Sequence, residues 1–155
     1  MRNAVLLLTH TATLVVGVAL GIYLLPILIA PAAPDLQHLQ QEHIEPHLEA
    51  AFARERTDSD ALHWGSGQLS WQGRVLWFAG ELAPGPDYRL YLTPEYVETE
   101  ADFLRIKQDS YEVGAVRSFD GFVFDDAPDA ATTEMVAAVV WCETFSQFIT
   151  SGRFL

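Results

Sequence analysis

Three regimes of hydrophobic spacing divide the chain. Apolar residues run almost unbroken from Ala4 to Leu25, recur every three to five positions from Asp35 to Arg56, and alternate in short runs beyond Thr57. The first regime holds no charged residue, and its 22 residues make a helix of about 33 Å, enough to cross a hydrocarbon core of about 30 Å. Pro26, Pro31 and Pro34 are expected to end that helix, because each lacks a backbone donor and crowds the preceding turn. A cleaved signal peptide is the competing reading, since Ala30-Pro31-Ala32 resembles a small-residue cleavage site. The apolar run is longer than the usual ~7–15 residues of a signal, and prolines crowd the site, which favours a retained anchor. Arg2 precedes the run and no basic residue follows before Arg54, which predicts a cytoplasmic N-terminus in the inner (plasma) membrane and a periplasmic or extracellular remainder.

In the second regime Leu36, Leu39, Ile44, Leu48 and Phe52 have helical spacing, which predicts one or two short amphipathic juxtamembrane helices restarted at Pro46. His43 and His47 are four apart and would share a helix face, the spacing of a two-histidine metal site. Pro46 falls between them and no third ligand is fixed, so they are weak metal candidates on a solvated stalk. The expected organisation is an anchor over 1–30, an acidic helical linker over 31–60 and one folded domain over 61–155.

The third regime reads as β structure. Gln68–Trp71 and Arg74–Phe78 flank Gln72-Gly73, a hairpin signal whose alternation places Leu69, Trp71, Val75 and Trp77 on one face. Further strands are expected at Tyr88–Leu92, Gly121–Phe124 and Met135–Trp141, with one short helix or turn over Thr99–Lys107. Short strands separated by Gly and Pro turns predict a mainly β fold, an antiparallel sandwich or barrel. Ala83-Pro84-Gly85-Pro86-Asp87 is a stiffened turn, with two prolines flanking a glycine free to take positive φ.

Composition narrows the function. The formal charge of −12 repels phosphate backbones, so nucleic acid is excluded as a partner. One cysteine, Cys142, rules out an internal disulfide and makes it the only route for thiol chemistry. No G-x-S-x-G, H-E-x-x-H or P-loop is present, and enzymatic turnover is not indicated.

Gly85-Pro86-Asp87 with Tyr88-Arg89-Leu90-Tyr91-Leu92, then Val139-Val140-Trp141-Cys142 with Phe145, resemble two paired motifs of the DM-thirteen domain family, over about Leu62 to the C-terminus. The resemblance implies a DOMON-like extracytoplasmic β-sandwich behind an N-terminal anchor. It also implies a proposed part in electron transfer, with Cys142 as the redox residue and Gly85, Pro86, Asp87, Tyr91, Trp141 and Phe145 as motif positions. The tail Phe148–Phe154 follows the family's ending only loosely and leaves the last strand open.

Two readings of Cys142 stand side by side. It is a thiol that cycles with a redox or protein partner, or a small hydrophobe packed behind Trp141. No Lys, Arg or His lies near it in sequence, and Glu143 beside it would raise its pKa. The corresponding alternative function is a non-catalytic β module that binds a ligand or protein at the membrane surface, with its many aromatic rings as the contact surface.

Overall fold

The computed structural model describes residues 1–36 and 48–155. Among the described residues eight strands form two antiparallel sheets: β1 (Leu48–Phe52), β2 (Gly65–Gln72), β3 (Val75–Leu82) and β6 (Phe122–Phe124) in one, and β5 (Tyr111–Val116), β4 (Tyr88–Thr93), β7 (Ala137–Cys142) and β8 (Gln147–Arg153) in the other. The inner faces meet in a core that includes Leu69, Trp71, Leu76, Phe78, Leu90, Val140 and Ile149. A bridge between Ala50 and Phe154 joins β1 to the chain just after β8, so the two sheets touch along one edge. The expected mainly β sandwich is therefore present, and the stretch left open by the loose tail is the edge strand β8.

The hairpin faces differ from the sequence reading by one residue. Gln72 pairs with Val75 and Trp71 with Leu76, so the two-residue loop is Gly73-Arg74 and not Gln72-Gly73. Because side chains alternate with period two, this slip reverses β3: Leu76 and Phe78 join Leu69 and Trp71 in the core, and Val75 and Trp77 take the outer face. Gly73 adopts a φ of 53°, the left-handed conformation a tight hairpin of this type requires.

The predicted amphipathic helix over Asp35–Arg56 is replaced over Leu48–Phe52 by β1, which pairs with β2 from Leu48–Trp71 to Phe52–Gly67. A spacing of four serves a helix face and also two inward positions of a strand, and the unpaired edge of β2 decides between them. The remainder of the expected linker helix, with His43 and His47, lies outside the described residues.

α1 (Arg2–Ile29) continues through Pro26 instead of ending there. It is long and apolar enough to cross a membrane, as either an anchor or a signal sequence would be. α2 (Glu100–Ile106) fulfils the expectation of a short helix after Thr99, whose side chain accepts a hydrogen bond from the Asp102 amide. Phe103 and Ile106 point from α2 onto the outer face of the second sheet, where Tyr91, Val97, Val139, Trp141 and Phe148 complete a smaller core.

Candidate functional site

The two motif segments, about fifty positions apart in sequence, are neighbouring strands. In β4 and β7 Tyr88 pairs with Cys142, Arg89 with Trp141, Leu90 with Val140 and Tyr91 with Val139. Alternation then splits each motif between two faces. Tyr88, Leu90, Val140 and Cys142 face the sandwich core, whereas Tyr91, Val139 and Trp141 face α2.

The turn before β4 closes over the end of β7. The Glu143 amide donates to the Asp87 carbonyl at 3.1 Å, and the Cys142 thiol donates to the Pro86 carbonyl at 3.0 Å. The conformational demand of this turn falls on Asp87, with φ of 50°, and not on Gly85 as the sequence implied. Gly85 is required for another reason: a Cβ there would lie 2.3 Å from the Tyr88 hydroxyl. The turn is thus tight because Tyr88 stands against it.

Cys142 is 2% exposed. Burial pushes its thiol pKa up, and the charges of Asp87 and Glu143 push in the same direction against local backbone hydrogen bonds from Phe145 and Thr144. The thiol is accordingly held protonated at neutral pH. Phe145, the last motif position, sits at the tip of the β7–β8 turn and is half exposed. No backbone ladder reaches the tip of a turn of this length, so its ring is free of the core.

On the opposite face of the sheet Tyr91 and Trp141 flank Phe103, with ring centroids at 5.1 and 4.8 Å from it. The Tyr91 hydroxyl donates to Glu143, and Lys107 Nζ meets the same carboxylate at 2.6 Å. Lys107 also lies 5.5 Å from the ring centres of both Tyr91 and Trp141. Arg89 extends the network by pairing with Asp87 and Glu112. Partial burial alone would raise the Glu143 pKa, but the hydrogen bonds from Lys107 and Tyr91 and the charges of Lys107 and Arg89 outweigh it and hold the carboxyl below its ordinary value of 4.5. Burial and the Glu143 carboxylate push the Tyr91 phenol up, so it remains a donor.

This network has a signed consequence for stability. A carboxyl whose folded pKa is depressed contributes stability that is complete above the unfolded value and is lost as pH falls through the folded one. Thermal unfolding of the native chain should therefore fall off below pH about 4.5. In Glu143→Gln that decline should be shallower, because the amide cannot titrate; an identical pH profile would show that the network does not contribute.

The sequence does not pair Asp60 with His63. The Asp60 carboxylate accepts from the amides of Leu62 and His63 and lies 3.0 Å from His63 Nδ1. The signal was present as an aspartate three residues before a histidine, but only the loop geometry turns that spacing into a pair. Among the described residues no group of three or more His, Cys, Asp or Glu is close enough together to hold a metal ion.

No curated protein matches the chain, and no solved structure matches it either. The model of the family described as Electron transfer DM13 matches residues 56–154, which takes in seven of the eight strands, both motifs, α2 and Cys142. The chain belongs to the DM13 electron transfer family.

Proposed function

We propose that this chain is a membrane-anchored, extracytoplasmic electron transfer domain in which Cys142 exchanges an electron and a proton with a redox partner. The observation that carries this reading is the joining of the two family motifs around one sulfur, with Tyr88 opposite Cys142 in the sheet and the Pro86 carbonyl accepting from the thiol. The anchor is supported by the length and hydropathy of α1, and its orientation by Arg2 before the apolar run.

The protonated state of the thiol determines the form of the step. Loss of one electron to a one-electron acceptor on the partner leaves a thiyl radical, and the S–H proton passes to solvent. The reverse transfer restores the thiol. One proton then accompanies one electron, and a tenfold change in proton activity is worth about 59 mV for a one-electron couple. Film voltammetry of the full chain should show a wave whose midpoint falls by about 59 mV per pH unit. Cys142→Ser should abolish the wave, and an unchanged wave in that variant would overturn the role of the thiol.

The burial of Cys142 favours one second reading, in which the thiol is a packed wall residue and the domain binds a ligand without cycling its own oxidation state. Voltammetry separates the two, since a cycling thiol gives a wave that Cys142→Ser abolishes and a packed one gives none.

A further inference from the structure

The end of the sandwich that carries Cys142 meets α1 across a cavity of about 210 Å³. Ile22 and Tyr23 of the helix form one wall; Pro86, Tyr88, Cys142 and Phe145 form another. The depth of this cavity follows from helix geometry. The 28 residues of α1 extend about 42 Å, whereas the hydrocarbon core is about 30 Å thick, so a span starting near Ala4 ends near Tyr23 whichever way the helix points. Tyrosine is enriched at that boundary, where its ring lies in apolar surroundings and its hydroxyl reaches the headgroups. Leu62 and Phe145, both on the cavity rim, are 59% and 50% exposed, which is costly against water and suited to a bilayer interface.

We propose that this cavity binds the ring of a single-ring quinone dissolved in the bilayer, entered from the membrane side. The inference rests on the electron transfer reading and supplies that reading with the class of carrier the domain meets.

Size, shape and polarity each point the same way. An apolar cavity of about 150 Å³ holds a benzene ring, so 210 Å³ accommodates one substituted ring and is too small for a haem or a flavin. Tyr23, Tyr88 and Phe145 offer aromatic walls for a flat ligand. Two polar groups are available to its oxygens. His63 lines the cavity with Nδ1 already engaged by Asp60, which leaves Nε2 for the ligand. The Tyr88 phenol also lines the cavity and can donate to a carbonyl. The formal charge of −12 disfavours anionic carriers and leaves a neutral lipophile unopposed. A second cavity of about 420 Å³, beside Leu25 to Pro31, shares Gly85, Pro86 and Tyr88 with the first and lies on its headgroup side, so a ring substituent leaves past Ala19 and Ile22 toward the lipid. The protonated thiol of Cys142 is a poor nucleophile, so the ring is held without a bond to sulfur.

The test uses the full chain in phosphatidylcholine nanodiscs and a photoreactive azidoquinone, with sites of cross-linking mapped by mass spectrometry. Labelling should saturate, concentrate on the segments around His63, Tyr88 and Phe145, and be displaced by excess decylbenzoquinone. His63→Ala should weaken it about tenfold, the loss expected for one hydrogen bond. Phe145→Trp should also weaken it by narrowing the cavity, with both variants melting close to the native chain. Cys142→Ser should bind as the native chain does, because the site needs only a ring-sized space. Labelling that does not saturate, or that is spread evenly along α1, reflects partition into lipid and overturns the site. Absent labelling beside an intact voltammetric wave overturns the quinone site and spares the thiol role; saturable labelling beside an absent wave does the reverse.

Discussion

Trp141→Ala should destabilise the domain by about 3–5 kcal/mol, the range for removing a fully buried aromatic side chain. Trp141 is completely buried, and its ring packs 4.8 Å from that of Phe103 in the small core that fastens α2 to the sheet. Truncation leaves a void between β7 and α2, and Tyr91 cannot close it without moving β4, which is paired on both sides. For a domain near 100 residues each kcal/mol shifts Tm by about 4–8 °C, so thermal unfolding should drop by at least about 12 °C. The indole Nε1 has no hydrogen-bond partner among the described residues, so Trp141→Phe sacrifices packing alone and should lie between the native chain and the alanine variant. Equal losses in the two variants would mean that the site collapses around the smaller side chains.

Gly67→Ala should cost roughly 2–6 kcal/mol, although it adds a single methyl group. Gly67 has φ of 150°, a conformation that costs a side-chain-bearing residue about 1–3 kcal/mol. A Cβ there would also lie 2.4 Å from the Ala79 carbonyl oxygen and 2.6 Å from the Gly80 Cα. Both contacts are to backbone, so the two strands must part, adding about 1–3 kcal/mol of overpacking. The Phe78 ring lies across Gly67 and its partner Gly80, leaving no room for a side chain at either, and stacks with Phe122 at 5.1 Å. Gly73→Ala is the control: it shares a positive φ but meets nothing within 4 Å, so it should lose only the backbone component, about 1–2 kcal/mol. Urea unfolding of the two variants reads the difference, and a Gly67 variant no worse than the Gly73 variant would remove the backbone clash as its cause.

These two sites show what a sequence conveys at different ranges. Trp141 announces its burial by lying in an apolar run with β propensity, and the pairing of its motif with Gly85-Pro86-Asp87 was enough to assign the family. Gly67 gives no such notice, because a glycine in a strand looks the same whether it relieves a bulge or admits a neighbouring backbone. The hairpin was found but read one residue out, since Gln72-Gly73 and Gly73-Arg74 both place a glycine in the loop. β5 was missed because Gly114 and Ala115 weaken its alternation and only Val116 is buried along it. The candidate site is legible as Cys142 and the turn before Tyr88, whereas the pairing of His63 with Asp60 is not, because a loop pair has no periodicity to betray it.

The sequence by itself determined the apolar N-terminal helix, the β character of the remainder, the family and the single thiol, because each is a local property of composition, spacing or motif. Only the tertiary structure decided which face each motif residue takes, that Cys142 is buried and protonated, and that Phe145 leaves the core for the cavity beside α1. Those outcomes depend on register and on which elements pack together, and one residue of slip in a strand exchanges inside for outside. Val139–Phe145 is for that reason one run in sequence but serves two cores and a turn in space.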